Sequence, residues 1–130
     1  MSQYRDITLV LDGTTIRAFA DGTGSLAVGE ALTEVEEDSG LVALPPLCLA
    51  EAFADLDDPT LLELLVDHPT TVVLDLPAEG WRPLAAMLGT VPLIGSASAV
   101  LTAIDHDALL LTRDPEPYAK IAGGGPLIIF

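Results

Sequence analysis

Ile7-Thr8-Leu9-Val10-Leu11-Asp12-Gly13-Thr14 is a short apolar run with β-branched residues that stops at an Asp-Gly pair. So short a run, ended by turn residues, reads as a buried strand rather than a helix. Three further runs repeat the pattern. Thr71 to Leu74 stops at Asp75 and Pro77, Ala108 to Leu111 leads into Thr112-Arg113-Asp114-Pro115, and Leu127 to Phe130 ends the sequence. Leu41 to Leu44 is extended as well, because Pro45-Pro46 follows it.

Helical segments separate these runs. Thr14 to about Ala20 is a short helix, and Asp21 to Ser25 a loop with Ser25 as the cap of a second helix. Leu26, Val28, Ala31, Leu32 and Val35 recur there at helical spacing, and the pattern fades into Glu36-Glu37-Asp38-Ser39-Gly40. Pro46 opens a helix carrying Cys48, Glu51 and Phe53, and Asp58 is expected to cap the next, Pro59 to about Val66. Trp81 to Leu88, Ser96 to Ile104 and Pro115 to Ile121 complete the helices, with Ser96 as an N-cap. Continuously apolar strands that alternate with helices predict one α/β domain. The expected architecture is a three-layer α/β/α sandwich on a parallel sheet of four to five strands, the first of them central.

A chain of 130 residues can bury a core without disulfides. Cys48 is the only cysteine, which excludes an internal disulfide and a cysteine-based zinc site. Within Leu47-Cys48-Leu49-Ala50 it reads as a small buried hydrophobe. The net charge of −15 comes from 20 acids against five Lys and Arg. It argues against binding nucleic acid by phosphate neutralisation and suits a cation or a basic protein partner. Most of these acids serve solubility. The polar opening from Met1 to Asp6 does not read as a signal peptide, and no run approaches the ~18 apolar residues of a membrane span. A soluble, cytoplasmic protein is expected.

Ligands of open parallel sheets bind beyond the carboxyl ends of the strands. Asp12 and Asp114 follow strands there, as does Asp75, and Glu51 stands alone on an apolar helix. A helix cap, a salt bridge to Arg17 or Arg113, or an exposed position would account for any one acid. Asp12, Glu51 and Asp114 together are another matter, because one fold can bring all three to the same edge. Crowded carboxylates repel, so such a site usually holds a cation. Oxygen donors without thiolates or paired imidazoles suit Mg²⁺ or Mn²⁺. His68 and His106 read as loop residues.

The segments Ile-Thr-Leu-Val-Leu-Asp12-Gly-Thr14, Leu-Pro-Pro-Leu-Cys-Leu-Ala-Glu51 and Ala-Leu-Leu-Leu-Thr112-Arg-Asp114-Pro resemble, in order and spacing, the successive signatures of PIN domains. The branch they resemble is the VapC-like toxins of bacterial toxin–antitoxin pairs. The resemblance implies a Mg²⁺- or Mn²⁺-dependent endoribonuclease that forms a homodimer and is held by an antitoxin protein. It carries the family's acids onto Asp12, Glu51 and Asp114, with Asp12 and Asp114 as metal ligands. Thr14 and Thr112 fall on supporting hydroxyl positions. The third acid of the pattern falls on Ser96, in Ile-Gly-Ser96-Ala-Ser98, and is missing. A PIN fold that has lost catalysis and acts as a binding or regulatory module is the alternative, favoured by Ser96 and by the acidic charge. The Leu-Asp12-Gly-Thr motif also suggests a haloacid dehalogenase phosphatase, but the nucleophilic Asp needed two positions earlier is Val10. A phosphorylation receiver lacks its lysine and its regular alternation of strand and helix.

Overall fold

The computed structural model describes residues 5–121 and 127–130. Its strands are β1 (Ile7–Leu11), β2 (Leu41–Leu44), β3 (Thr71–Val73), β4 (Leu109–Thr112) and β5 (Leu127–Ile129). All neighbouring pairs are parallel, in the order β3-β2-β1-β4-β5, which puts β1 at the centre. Helices α1 (Gly13–Ala20), α2 (Ser25–Glu37), α3 (Pro46–Ala54), α4 (Thr60–Val66), α5 (Trp81–Met87) and α6 (Ile94–Asp105) fill the connections, and a 3-10 turn spans Glu116–Tyr118. The fold is the three-layer α/β/α sandwich expected. The extended segment after Gly40 is a full strand, paired with β1 on one side and β3 on the other.

The central strands read as unbroken apolar runs because helices cover both faces of a parallel sheet. Val10, Leu11, Val42, Leu44 and Leu110 are all sealed from solvent. With few aromatics available, the core is assembled from Leu, Val and Ala, and Tyr118 is its largest fully buried side chain. Cys48 is buried too, as its apolar surroundings predict, and its thiol donates to the Gly95 carbonyl at 3.2 Å. From β1 the chain moves outward to β2 and β3, then crosses back to β4 and β5 on the other side. The strand order therefore reverses between β1 and β4. A crevice opens at such a reversal, at the carboxyl ends of the strands.

Three expected caps fall elsewhere. Ser25 is the first residue of α2, and Gly24 takes the cap position. A β-carbon on Gly24 would come within 2.9 Å of the Ala18 methyl, so close packing of α2 on α1 excludes a serine there. Asp58 lies one residue before the α4 cap, Pro59, and accepts from the amide and hydroxyl of Thr60 at 3.0 and 2.6 Å. Ser96 is the third residue of α6, which begins after Leu93 when the Ala97 amide bonds the Leu93 carbonyl at 2.8 Å. The helix expected from Pro115 to Ile121 is only the 3-10 turn, since Pro115 and Pro117 remove two backbone donors. Among the described residues, no helix is long and apolar enough to cross a membrane.

Candidate functional site

Asp12 leaves β1 and caps α1. Its Oδ1 accepts from the Thr15 amide at 3.0 Å and from the Thr14 hydroxyl at 2.7 Å. Its Oδ2 accepts from the Tyr118 hydroxyl at 2.5 Å. Both residues are only 1% exposed. A bare carboxylate so deep would be costly, and three donors aimed at it offset that cost. The Thr15 hydroxyl donates to the Leu111 carbonyl at 2.6 Å and fastens the start of α1 to β4.

Thr14 and Thr112 stand beside Asp12, their hydroxyls 3.4 Å apart. The Thr14 hydroxyl also receives the Arg113 amide, at 3.2 Å. The Thr112 hydroxyl receives the Asp114 amide at 3.1 Å and donates to the Asp114 carbonyl at 3.0 Å. These bonds fix the turn that presents Asp114, whose side chain is exposed and accepts the Glu116 amide at 3.1 Å.

Glu51 projects from α3 toward the starts of α1 and α6, where two glycines leave room for it. A β-carbon on Gly95 would fall 1.4 Å from its Oε1, and one on Gly13 would fall 3.7 Å from the same atom. Glu51 is exposed as a residue, and its carboxyl group is partly shielded. That shielding first, and the charge of Asp12 second, hold its pKa above the usual carboxylate range. Burial, with the charges of Asp12 and Glu51, pushes the Cys48 thiol up, which keeps it protonated and unreactive. Burial and the Asp12 carboxylate likewise push the Tyr118 phenol far up, against a smaller opposing pull from the Ser96 hydroxyl.

Thr14, Glu51, Ser96 and Asp114 thus line one small recess of about 170 Å³, together with Gly13, Arg17 and Asp55. Asp12 is not among the lining residues. The expectation that Asp12, Glu51 and Asp114 converge in one acidic pocket is corrected in this respect, because Asp12 lies beneath the recess with its oxygens turned to protein donors. Arg17 pairs with Asp55 at 2.9 Å, and the Arg113 guanidinium bonds the Thr23 hydroxyl. Neither arginine is paired with the three acids among the described residues.

A hard divalent cation needs carboxylate oxygens with open approach. Asp12 offers none as arranged, Ser96 supplies only a neutral hydroxyl, and Glu51 is drawn toward Gly95. The residues present do not fit Mg²⁺ or Mn²⁺ held by Asp12 and Asp114. Among the described residues, no three His, Cys, Asp or Glu side chains come together as a metal-holding group. The other candidates lie apart from the recess. Asp75 and His106 line a separate apolar groove with Pro45, Leu84 and Leu101, and the His68 ring accepts the Thr70 amide at 3.0 Å.

Sequence reasoning missed Tyr118, Gly13 and Gly95. The glycines carried a readable signal, since each sits one residue from a site candidate at the start of a helix. Tyr118 carried none, because the turn that folds it back onto Asp12 is tertiary.

The fold and recess define an α/β protein with a parallel sheet and an acidic crevice at the strand-order reversal. No protein-family model matches the sequence, and no curated protein does. Among solved structures, the chain is similar to PAE2754 from Pyrobaculum aerophilum. The two share 20% identity over 91% of this chain and 89% of that one, with a TM-score of 0.58. At that identity the likeness concerns the fold.

Proposed function

We propose that this chain is a PIN-type protein, nearest in pattern to the VapC-like toxins, whose catalytic centre is silent and which acts as a binding or regulatory module. One observation carries the reading: the Tyr118 hydroxyl occupies Oδ2 of Asp12, the acid that would have to lead any metal-dependent hydrolysis. The serine at position 96 supports it, and so does the scarcity of basic residues to track an RNA backbone. With a net charge of −15, the partner is a protein carrying a basic surface, in the cytoplasm, and an antitoxin-like protein meets that description. The test is cleavage of a mixed RNA pool in Mg²⁺ or Mn²⁺, with Asp12→Asn as the control because an amide keeps the helix cap. The expected result is no cleavage above that of the control. Metal-dependent cleavage that Asp12→Asn abolishes would reverse the reading.

The second reading is the active Mg²⁺- or Mn²⁺-dependent endoribonuclease, with Asp12, Glu51 and Asp114 as its acids. It is favoured by the shared recess of Glu51, Ser96, Asp114 and Thr14. The same cleavage assay decides between the two.

A further inference from the structure

We infer that Tyr118 takes the place of a cation, its phenolic proton serving as the positive partner that the buried Asp12 carboxylate requires. A carboxylate sealed in a protein interior needs a metal ion, a basic side chain or strong hydrogen-bond donors. Neither Arg17 nor Arg113 reaches Asp12, and Lys120 is exposed. The phenol supplies the missing partner from within the core. Its bond to Oδ2 is 2.5 Å, in the range of charge-assisted O–H···O⁻ bonds, and both groups are 1% exposed.

The device is built from the chain's own geometry. Asp114 sits in the turn after β4, and the 3-10 turn immediately beyond it brings the buried Tyr118 back onto Asp12. The same short segment therefore presents one acid to solvent and closes off another. On the opposite side, the Thr15 amide and the Thr14 hydroxyl hold Oδ1. An ion entering the recess would have to displace the phenol from Oδ2 and exchange a buried, charge-assisted bond for at best the neutral Ser96 hydroxyl, which is unfavourable. Phenylalanine at this position keeps the ring and removes only the donor.

The inference rests on the silent-centre reading, and the two fail separately. RNA cleavage by the natural protein would overturn that reading, whereas Mn²⁺ binding by the natural protein without cleavage would overturn only this inference. The experiment compares thermal melts and titration calorimetry with Mn²⁺ alone for the natural chain, Tyr118→Phe, and Tyr118→Phe combined with Asp12→Asn. The natural chain should take up no Mn²⁺ and keep its melting temperature. Tyr118→Phe should melt lower without metal and rise by about 3–6 °C in millimolar Mn²⁺. The double variant should lose that rise. Equal Mn²⁺ responses in the natural chain and Tyr118→Phe, or none in folded Tyr118→Phe, would overturn the proposal. If Tyr118→Phe does not fold, proton NMR of the natural chain decides. A downfield, slowly exchanging phenolic proton unmoved by Mg²⁺ supports the proposal, and one that Mg²⁺ shifts or removes overturns it.

Discussion

Among single residues, Glu51 has the most exposed of the environments that raise a pKa here. Its carboxyl group is partly shielded and sees the charge of Asp12, so its pKa is raised on folding. A raised pKa means that the folded state binds a proton more readily than the unfolded state. The associated stability is present below the ordinary glutamate pKa and is lost as pH rises through the raised value. At neutral pH the charged Glu51 is thus a net cost. Glu51→Gln should stabilise the protein at pH 7 by about 0.5 kcal/mol or less, since solvent screens a group this open. The gain should vanish as pH falls below about 4, the range of an unperturbed glutamate. Urea melts across that range would show it, and a loss of stability at pH 7 would mean that Glu51 makes a favourable contact instead.

For the elements, the sheet was legible and its fastenings were not. The apolar runs from Ile7 and Leu41 announce strands because a parallel sheet buries both faces, a property local to each run. The cap at Ser96 was misplaced because helix starts depend on which neighbour must fit. Gly95 stands under the Glu51 carboxylate, and α6 begins a turn earlier to put it there. The partnership of Tyr118 with Asp12 spans residues far apart in sequence and no period betrays it. Thr15 is another such fastening, since its hydroxyl crosses from α1 to the last turnward residues of β4. Thr15→Val keeps the shape and β-branching but leaves the Leu111 carbonyl without this donor. The expected loss is about 1–2 kcal/mol in equilibrium urea unfolding. A change within ~0.3 kcal/mol would mean that the carbonyl is satisfied by its remaining partners.

For the whole molecule, charge and apolar surface act in opposite directions. Leu76, Trp81, Leu93 and Ile104 are each more than half exposed, while acids outnumber basic residues four to one. The homodimer implied by the family resemblance would bring two such charges together, so it should be tightened by salt. Light scattering at tens of micromolar is expected to give a mass near twice 13.5 kDa, with dissociation on dilution suppressed by added KCl. A mass of one chain at high salt would remove the dimer.

The strand order also sets a timetable for synthesis. Leu9 in the central strand pairs on one side with Val42 and on the other with Leu109, about a hundred residues downstream. As the chain leaves the ribosome, β1 gains its first neighbour early and waits for the second until β4 emerges. Throughout that interval one side of an apolar strand is an open pairing edge, the kind that recruits other chains. Distant pairing of this sort also slows refolding from denaturant. Nascent chains halted before Leu109 should therefore depend on chaperones far more than chains that include β4, because the central strand keeps one unpaired side until β4 has been made.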